Sequence, residues 1–281
     1  MKKMISASCF AIVFTLFALP ALSQGFDSVE IKTVKITHKI YMLEGAGGNI
    51  GVLTGNDGIV LIDDQFAPLS EKIKAALKAI SDKPVKFLIN THFHGDHVGG
   101  NENFGNEGAV IVAHDNVRMR LTREEFLAAF NMKTEPSPYN ALPKITFTDT
   151  ITLHVNGETL QVIHIKNAHT DGDAIIYFKE SNVIHTGDVF VRYGLPFIDQ
   201  EHGGNINGMI NGVNTIIAMS NDNTKIIPGH GDVATKKDAA DFNAMLEKIR
   251  NKIADAIKKG KTLKQITDEN QFTEYPAAFD R

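Results

Sequence analysis

The sequence predicts a single α/β domain behind a short leader. Residues Ile5–Leu19 form a mostly apolar run after Lys2 and Lys3, and Ala21-Leu22-Ser23 makes a small-x-small cleavage box. That is the pattern of a secretory signal peptide, too short and wrongly flanked for a membrane span. Removing residues 1–23 leaves residues 24–281, about 258 residues, which suits one large domain better than two small ones. Beyond the leader, short apolar runs alternate with amphipathic ones, and no repeat or compositional break divides the chain.

In chain order, KITHKIYMLEG (35–45), NIGVLTG (49–55) and GIVLIDD (58–64) read as strands, with Asn56-Asp57-Gly58 as a turn. SEKIKAALKAISDK (70–83) reads as a helix with Ser70 as its cap, because Ile73, Leu77 and Ile80 share one face. VKFLIN (85–90) and AVIVAH (109–114) are buried strands, and 115–130 reads as a helix opened by Asp115. Residues 131–145, rich in Pro, Asn, Ser and Thr, read as a loop. Residues 150–165 form a hairpin around Asn156-Gly157, a strong two-residue turn signal. AIIYF (174–178), NVIHTGD (182–188) and TKIIPGHGD (224–232) supply further strands, and 194–208 is loop-like before an apolar-periodic stretch at 209–220. The last helix runs near 236–259, with Phe242, Leu246, Ile249 and Ile253 on one face and Gly260 just beyond it. The two groups of strands separated by helices suggest two similar halves.

Composition narrows the function. Loss of Lys2 and Lys3 moves the formal charge from −4 to −6, and no basic block remains, so a nucleic-acid partner is not expected. The only cysteine, Cys9, lies in the leader, so the mature chain has no disulfide, thiolate ligand or cysteine nucleophile. No second long apolar run follows, so stable membrane insertion after cleavage is not expected, and the location is expected to be periplasmic or secreted.

The chemistry concentrates in THFHGDHVGG (91–100), which directly follows an apolar strand. In an extended segment His92 and His94 point the same way, so both can reach one ion. The turn at Gly95 presents Asp96 and His97 differently, towards a second ion. Neutral imidazole and carboxylate suit zinc, and also iron or manganese. His169, Asp188 and His230 each stand just past another apolar run, where a turn would expose them at a sheet edge.

These signposts resemble the metallo-β-lactamase superfamily of hydrolases. They occur in order over nearly the whole mature chain: Asp63 in VLIDD, THFHGDH, His169 in NAHTDGD, Asp188 in HTGD and His230 in PGHGD. The resemblance implies a four-layer αββα sandwich with two metal ions at one edge. It implies that His92, His94 and His169 hold the first ion, that Asp96, His97 and His230 hold the second, and that Asp188 bridges them. It implies too that Asp63 orients the histidine loop without being a ligand, a role that matters almost as much. Two bound Zn2+ ions lower the pKa of their water to about 7, which makes hydroxide available to attack an ester, lactone, thioester or amide of a small molecule. Asp96 is placed to accept and return the proton.

Departures from particular branches shape the expectation further. The best-known zinc β-lactamases carry cysteine where this chain has Asp188, so β-lactam hydrolysis is the alternative rather than the first reading. Only 51 residues follow His230, short for the glutathione-binding region of glyoxalase II. An iron-dependent sulfur or oxygen redox enzyme of the same fold is the other alternative. Arg192, Tyr193 and Phe197 follow Asp188; Arg192, Tyr193 and His202 are candidate substrate contacts, Arg192 through a substrate carboxylate. Gly45–Asn49 reads either as a flap over the metals or as a plain glycine-rich hairpin. His38, His154 and His164 are expected to be surface or core residues, His114 to have no metal role, and His185 to pack behind the site.

Overall fold

The structure, a computed structural model, describes residues 25–269 together with residues 272 and 275. The expected signal peptide lies outside the described residues. The first half builds β1 (Lys32–Lys35), β2 (Ile40–Glu44), β3 (Ile50–Leu53), β4 (Ile59–Ile62), helix α1 (Ser70–Ile80) and β5 (Val85–Ile89). Short helices α2 (Gly95–Val98) and α3 (Asn101–Asn106), strand β6 (Val110–His114) and helix α4 (Asp115–Leu121) follow. Then come the small hairpin β7 (Glu125–Leu127) and β8 (Met132–Thr134), and β9 (Ile145–Phe147). The second half consists of β10 (Thr150–Val155), β11 (Glu158–His164), β12 (Ala174–Phe178), β13 (Val183–His185), α5 (Ile206–Met219), β14 (Lys225–Ile227), α6 (Lys236–Lys258) and α7 (Leu263–Asp268).

Two sheets result, a seven-stranded one in the order β1-β2-β3-β4-β5-β6-β9 and a five-stranded one in the order β10-β11-β12-β13-β14. Each begins antiparallel and turns parallel, at β4–β5 in the first and at β13–β14 in the second. Strand alternation decides the layers. In β4, Val60 and Ile62 face the second sheet, where they meet Val162, Ile176 and Phe178, while Ile59 and Leu61 face Ile73 and Leu77 of α1. On the far side Ile175 and Ile226 pack against Met209 and Val213 of α5 and Leu246 of α6. The order is therefore helix, sheet, sheet, helix, an αββα sandwich as expected. Burying both faces of each sheet explains why the central strands read as unbroken apolar runs. Among the described residues no helix is long and apolar enough to cross a membrane.

The structure corrects several sequence expectations. Ser70 is not the cap of α1, because a 3₁₀ turn at Ala67–Leu69 leads directly into the helix; Ser70 Oγ instead accepts a hydrogen bond from Asn103 Nδ2 at 2.8 Å. The helix expected over 115–130 ends at Leu121, and His114 rather than Asp115 caps it, its Nδ1 accepting from Asn116 N at 3.2 Å. The stretch after it is the β7–β8 hairpin, so 131–145 is not wholly a loop. Asn205 caps α5 by accepting from Gly208 N, so that helix begins inside the stretch read as loop. The turn at Asn156-Gly157 holds, both residues having positive φ (55° and 69°).

Candidate metal centre

Four parallel strand ends open on one edge. β4 and β5 lie side by side with Ile62 opposite Ile89, and β13 and β14 with His185 opposite Ile227. The segments after β5, β13 and β14 carry His92–His97, Asp188 and His230, and His169 lies in the connection between β11 and β12. Ala174 N donates to Thr91 O at 2.8 Å, which ties the two sheets together beside the histidine loop.

All seven expected ligand residues meet there. Ligand atoms of His92, His94 and His169 lie within 4.8 Å of one another, and so do those of Asp96, His97 and His230. A third such group, His92, His97 and Asp188, joins the first two. Asp188 faces both sides: its Oδ1 is 3.2 Å from His97 Nε2, and its Oδ2 is 3.4 Å from His230 Nε2 and 3.7 Å from His169 Nε2. His94 Nδ1 and His169 Nε2 face each other at 2.9 Å. His92 Nε2 is buried and makes no hydrogen bond, and Asp188 Oδ1 has only its 3.2 Å contact with His97 Nε2. Buried polar atoms are almost always satisfied. Orphaned donor atoms aimed into a ring of imidazoles and carboxylates fit divalent cations.

The electrostatics divide the ring. Burial holds His92 well below its ordinary range, helped by His97 and His169, and burial lowers His169 to about 4 although Asp188 opposes this. These imidazoles are neutral and ready to bind. His97 and His230 behave oppositely. Burial disfavours their charge, but Asp96 and Asp188 outweigh it and hold His97 well above its ordinary range and His230 at about 9. In return, and again against burial, the Asp96 carboxyl is held at about 2 by His97 and His230, and Asp188 well below the ordinary carboxylate range by the same two cations. Without metal, protons on His97 and His230 neutralise the two carboxylates; a bound cation must displace them.

Asp63 lies behind the histidine loop. Fully buried, it accepts from Thr91 N (2.8 Å) and Thr91 Oγ1 (2.7 Å), and its Oδ2 pairs with His97 Nδ1 (2.7 Å). Gly45–Asn49 is a packed turn clamped between ligand loops, not a loose flap. Gly48 N donates to Asp96 O, Asn49 N to Gly229 O, and Asn49 Nδ2 to Pro228 O and Gly231 O. A Cβ on Gly48 would stand 2.1 Å from His97 Cε1, so only glycine lets the turn approach this closely. His185 is buried with Nε2 3.0 Å from Asn49 O, and His114 stacks on His164 at 3.8 Å between centroids, away from the ligand ring.

The substrate candidates separate. Arg192 is committed elsewhere: its guanidinium donates to Asp232 O and Val233 O and pairs with Asp238 at 3.2 Å, a correction to its reading as a carboxylate clamp. Tyr193 stays beside the ligands, 5.5 Å between centroids from His230, and burial together with Asp188 pushes its phenol above its ordinary range. His202 is only 4% exposed and does not line an open cleft. It stands behind Asp199, whose Oδ2 receives His202 Nδ1 at 2.7 Å and His94 Nε2 at 2.9 Å. His202 Nε2 in turn meets Glu125 Oε2 at 3.2 Å. Sequence reasoning missed Asp199 and Glu125; the one visible hint was that Asp199 lies three residues before a histidine. It missed Asp173 too, which accepts from His169 N, Thr170 N and Thr170 Oγ1 and so shapes the His169 turn.

The chain is similar to known proteins over much of its length. The profile described as the metallo-beta-lactamase superfamily matches residues 43–255. A hydroxyacylglutathione hydrolase of Pelagibacter ubique (strain HTCC1062) is 27% identical over 160 residues, 56% of this chain and 57% of that protein, so the chain spans less than two thirds of that relative's length. Metallo-beta-lactamase IND-1 of Chryseobacterium indologenes is 23% identical over 239 residues, covering 83% of this chain and 93% of that one. The solved metallo-beta-lactamase from Pontibacter korlensis superposes with a TM-score of 0.64 at 18% identity over 78% of this chain and 99% of that one, a likeness of fold.

Proposed function

Because the chain belongs to the metallo-beta-lactamase superfamily, we propose that it is an exported hydrolase holding two divalent cations, zinc by preference, and that it cleaves an ester, lactone, thioester or amide bond of a small molecule. The observation that carries this reading is the position of Asp188 between two groups of three ligand residues. His92, His94 and His169 would hold one cation, Asp96, His97 and His230 the other, with Asp188 between them. When bound, such a pair supplies Lewis acidity and a water acidic enough to act as nucleophile at neutral pH.

The chain's own groups then divide the remaining work. Asp96 is the more exposed of the two carboxylates, 28% against 7% for the Asp188 side chain, so its Oδ2 can meet solvent and substrate. It takes the proton given up by water as the new C–O bond forms, and returns it to the leaving group as the old bond breaks. The Tyr193 phenol, kept protonated by burial and Asp188, donates a hydrogen bond to the oxygen that gains charge. Asp63 and Asp199 hold His97 and His94 by the ring nitrogens that face away from the cluster.

The test is metal analysis joined to a substrate panel. Protein purified without added metal should carry zinc, with about two equivalents at saturation. His94→Ala and His230→Ala should each lose about one equivalent and abolish hydrolysis. One equivalent at saturation in the wild type rejects the paired site, and native iron with no hydrolysis of nitrocefin, lactones, thioesters or phosphodiesters favours the redox alternative, since the same donors suit iron. Export rests on the leader alone. A periplasmic or secreted protein beginning near Gln24 would support it.

A further inference from the structure

One exposed apolar surface is continuous with the candidate centre. The β7–β8 hairpin pairs Leu127 with Met132 and Phe126 with Lys133, and its tip is a 3₁₀ turn, Ala128–Phe130, closed by Asn131 with φ 48°. Phe130 and Met132 are 45% and 42% exposed. Large apolar side chains grouped at a surface mark a binding site more often than isolated ones do. The Phe130 ring stands 5.3 Å from the ring of Phe197. Phe197 in turn stands 6.0 Å from His94 and 5.8 Å from His169, and its carbonyl faces His169 Nδ1 at 2.9 Å. An aromatic path therefore runs from the first ligand group to the hairpin tip. Strand alternation puts Met132 on the face of Leu127, which is buried against the histidine-loop residues Phe93 and Val98, and puts Phe126 on the opposite face.

The hairpin is also fastened to that ligand group. Three-residue strands do not hold a hairpin together unaided. Here Glu125 at the root receives Arg120 at 3.3 Å, Arg123 at 2.7 Å and His202 at 3.2 Å, and Ala128 N near the tip donates to Glu201 Oε2 at 3.2 Å. Through His202 and Asp199 the root connects to His94.

We propose that the 125–134 hairpin is the recognition element for an apolar acyl or alkyl chain of the substrate. The chain lies along Phe197, Phe130 and Met132 while the bond to be cleaved sits over the His/Asp cluster. This deepens, and rests on, the hydrolase reading. Each methylene buried there is worth roughly a fourfold gain in binding.

The experiment uses the full metal-loaded protein with p-nitrophenyl esters from acetate to decanoate, and separately measures binding of acetate and octanoate by calorimetry. The wild type should show KM falling with tail length and octanoate binding at least tenfold tighter than acetate. The Phe130→Ala/Met132→Ala double variant, with an unchanged melting temperature, should lose at least tenfold in the decanoate-to-acetate ratio of kcat/KM and in the octanoate preference. Phe126→Ala, on the other face, should leave both ratios as they were. Tail-dependent octanoate binding without hydrolysis of any ester rejects the hydrolase reading but keeps the apolar seat. Ester hydrolysis without length dependence, absence of any octanoate preference, or a shift from dimer to monomer in the double variant overturns the proposal, the last by making the tip a contact between copies.

Discussion

Asp188 and Asp96 share two histidines, and the protonation of that quartet makes the ion-free protein sensitive to pH. His230 is raised to about 9 from an ordinary 6.5, so the folded chain holds its proton more tightly than the unfolded one. The stability this supplies is complete below about pH 6.5 and is lost as pH rises through about 9. Asp96, held at about 2 from an ordinary 3.8, supplies stability above about pH 3.8 that is lost as pH falls through about 2. Calorimetry in chelator should therefore show the melting temperature of the metal-free protein falling between pH 6.5 and 9, and falling less in His230→Gln. A rise over that range would contradict the charge assignment. Asp199 tests a different link. Asp199→Asn keeps the shape but removes the charge that His94 Nε2 meets at 2.9 Å, so affinity at the first ligand group should drop by about 10- to 100-fold in a competitive chelator titration. Unaltered affinity would mean that Asp199 does not orient His94.

At the scale of elements, the site depends on segments pressed between strand ends. Gly48→Ala puts a methyl group 2.1 Å from His97 Cε1, and the three nearest atoms all belong to that buried imidazole. Metal content should fall towards one equivalent while the far-UV signal is retained; full occupancy in the variant would show that the turn can yield. The same scale explains where sequence reading succeeded and failed. β4, β5, β12 and the Asn156-Gly157 hairpin were legible because apolar runs and turn residues carry their structure locally. The helix after His114 was read too long because RLTREEF suits a helix by propensity, whereas Glu125 is held by His202, a partner 77 residues away.

Across the whole molecule, the ligand ring joins the two halves of the sandwich. Asp96 and the histidines of the 92–97 loop come from the first sheet, and His169, Asp188 and His230 from the second. Cations binding only the folded state would therefore stabilise the contact between sheets as well as the loops. A ligand at a thousand times its Kd adds about 4 kcal/mol. Chelation should lower the melting temperature by several degrees, and zinc should restore it. An unchanged melting curve after confirmed metal loss would show that the interior between the sheets, from Ile40 and Val60 to Val162 and Phe178, suffices alone.

The sequence by itself marked which residues gather at the candidate centre, because histidines and aspartates placed just after apolar strands leave a pattern visible without coordinates. It marked an α/β domain for a similar reason: strands buried on both faces must be apolar throughout. Only the tertiary structure decided which residues stand behind the candidate ligands and which surface adjoins them. Asp199 reaches His94 across 105 residues, and Phe130 meets Phe197 from a hairpin whose strands are three residues each. Arg192 turned to Asp238 instead of the site for the same reason. Such pairings are settled by which loops the two sheets bring to one edge, and no local spacing records that.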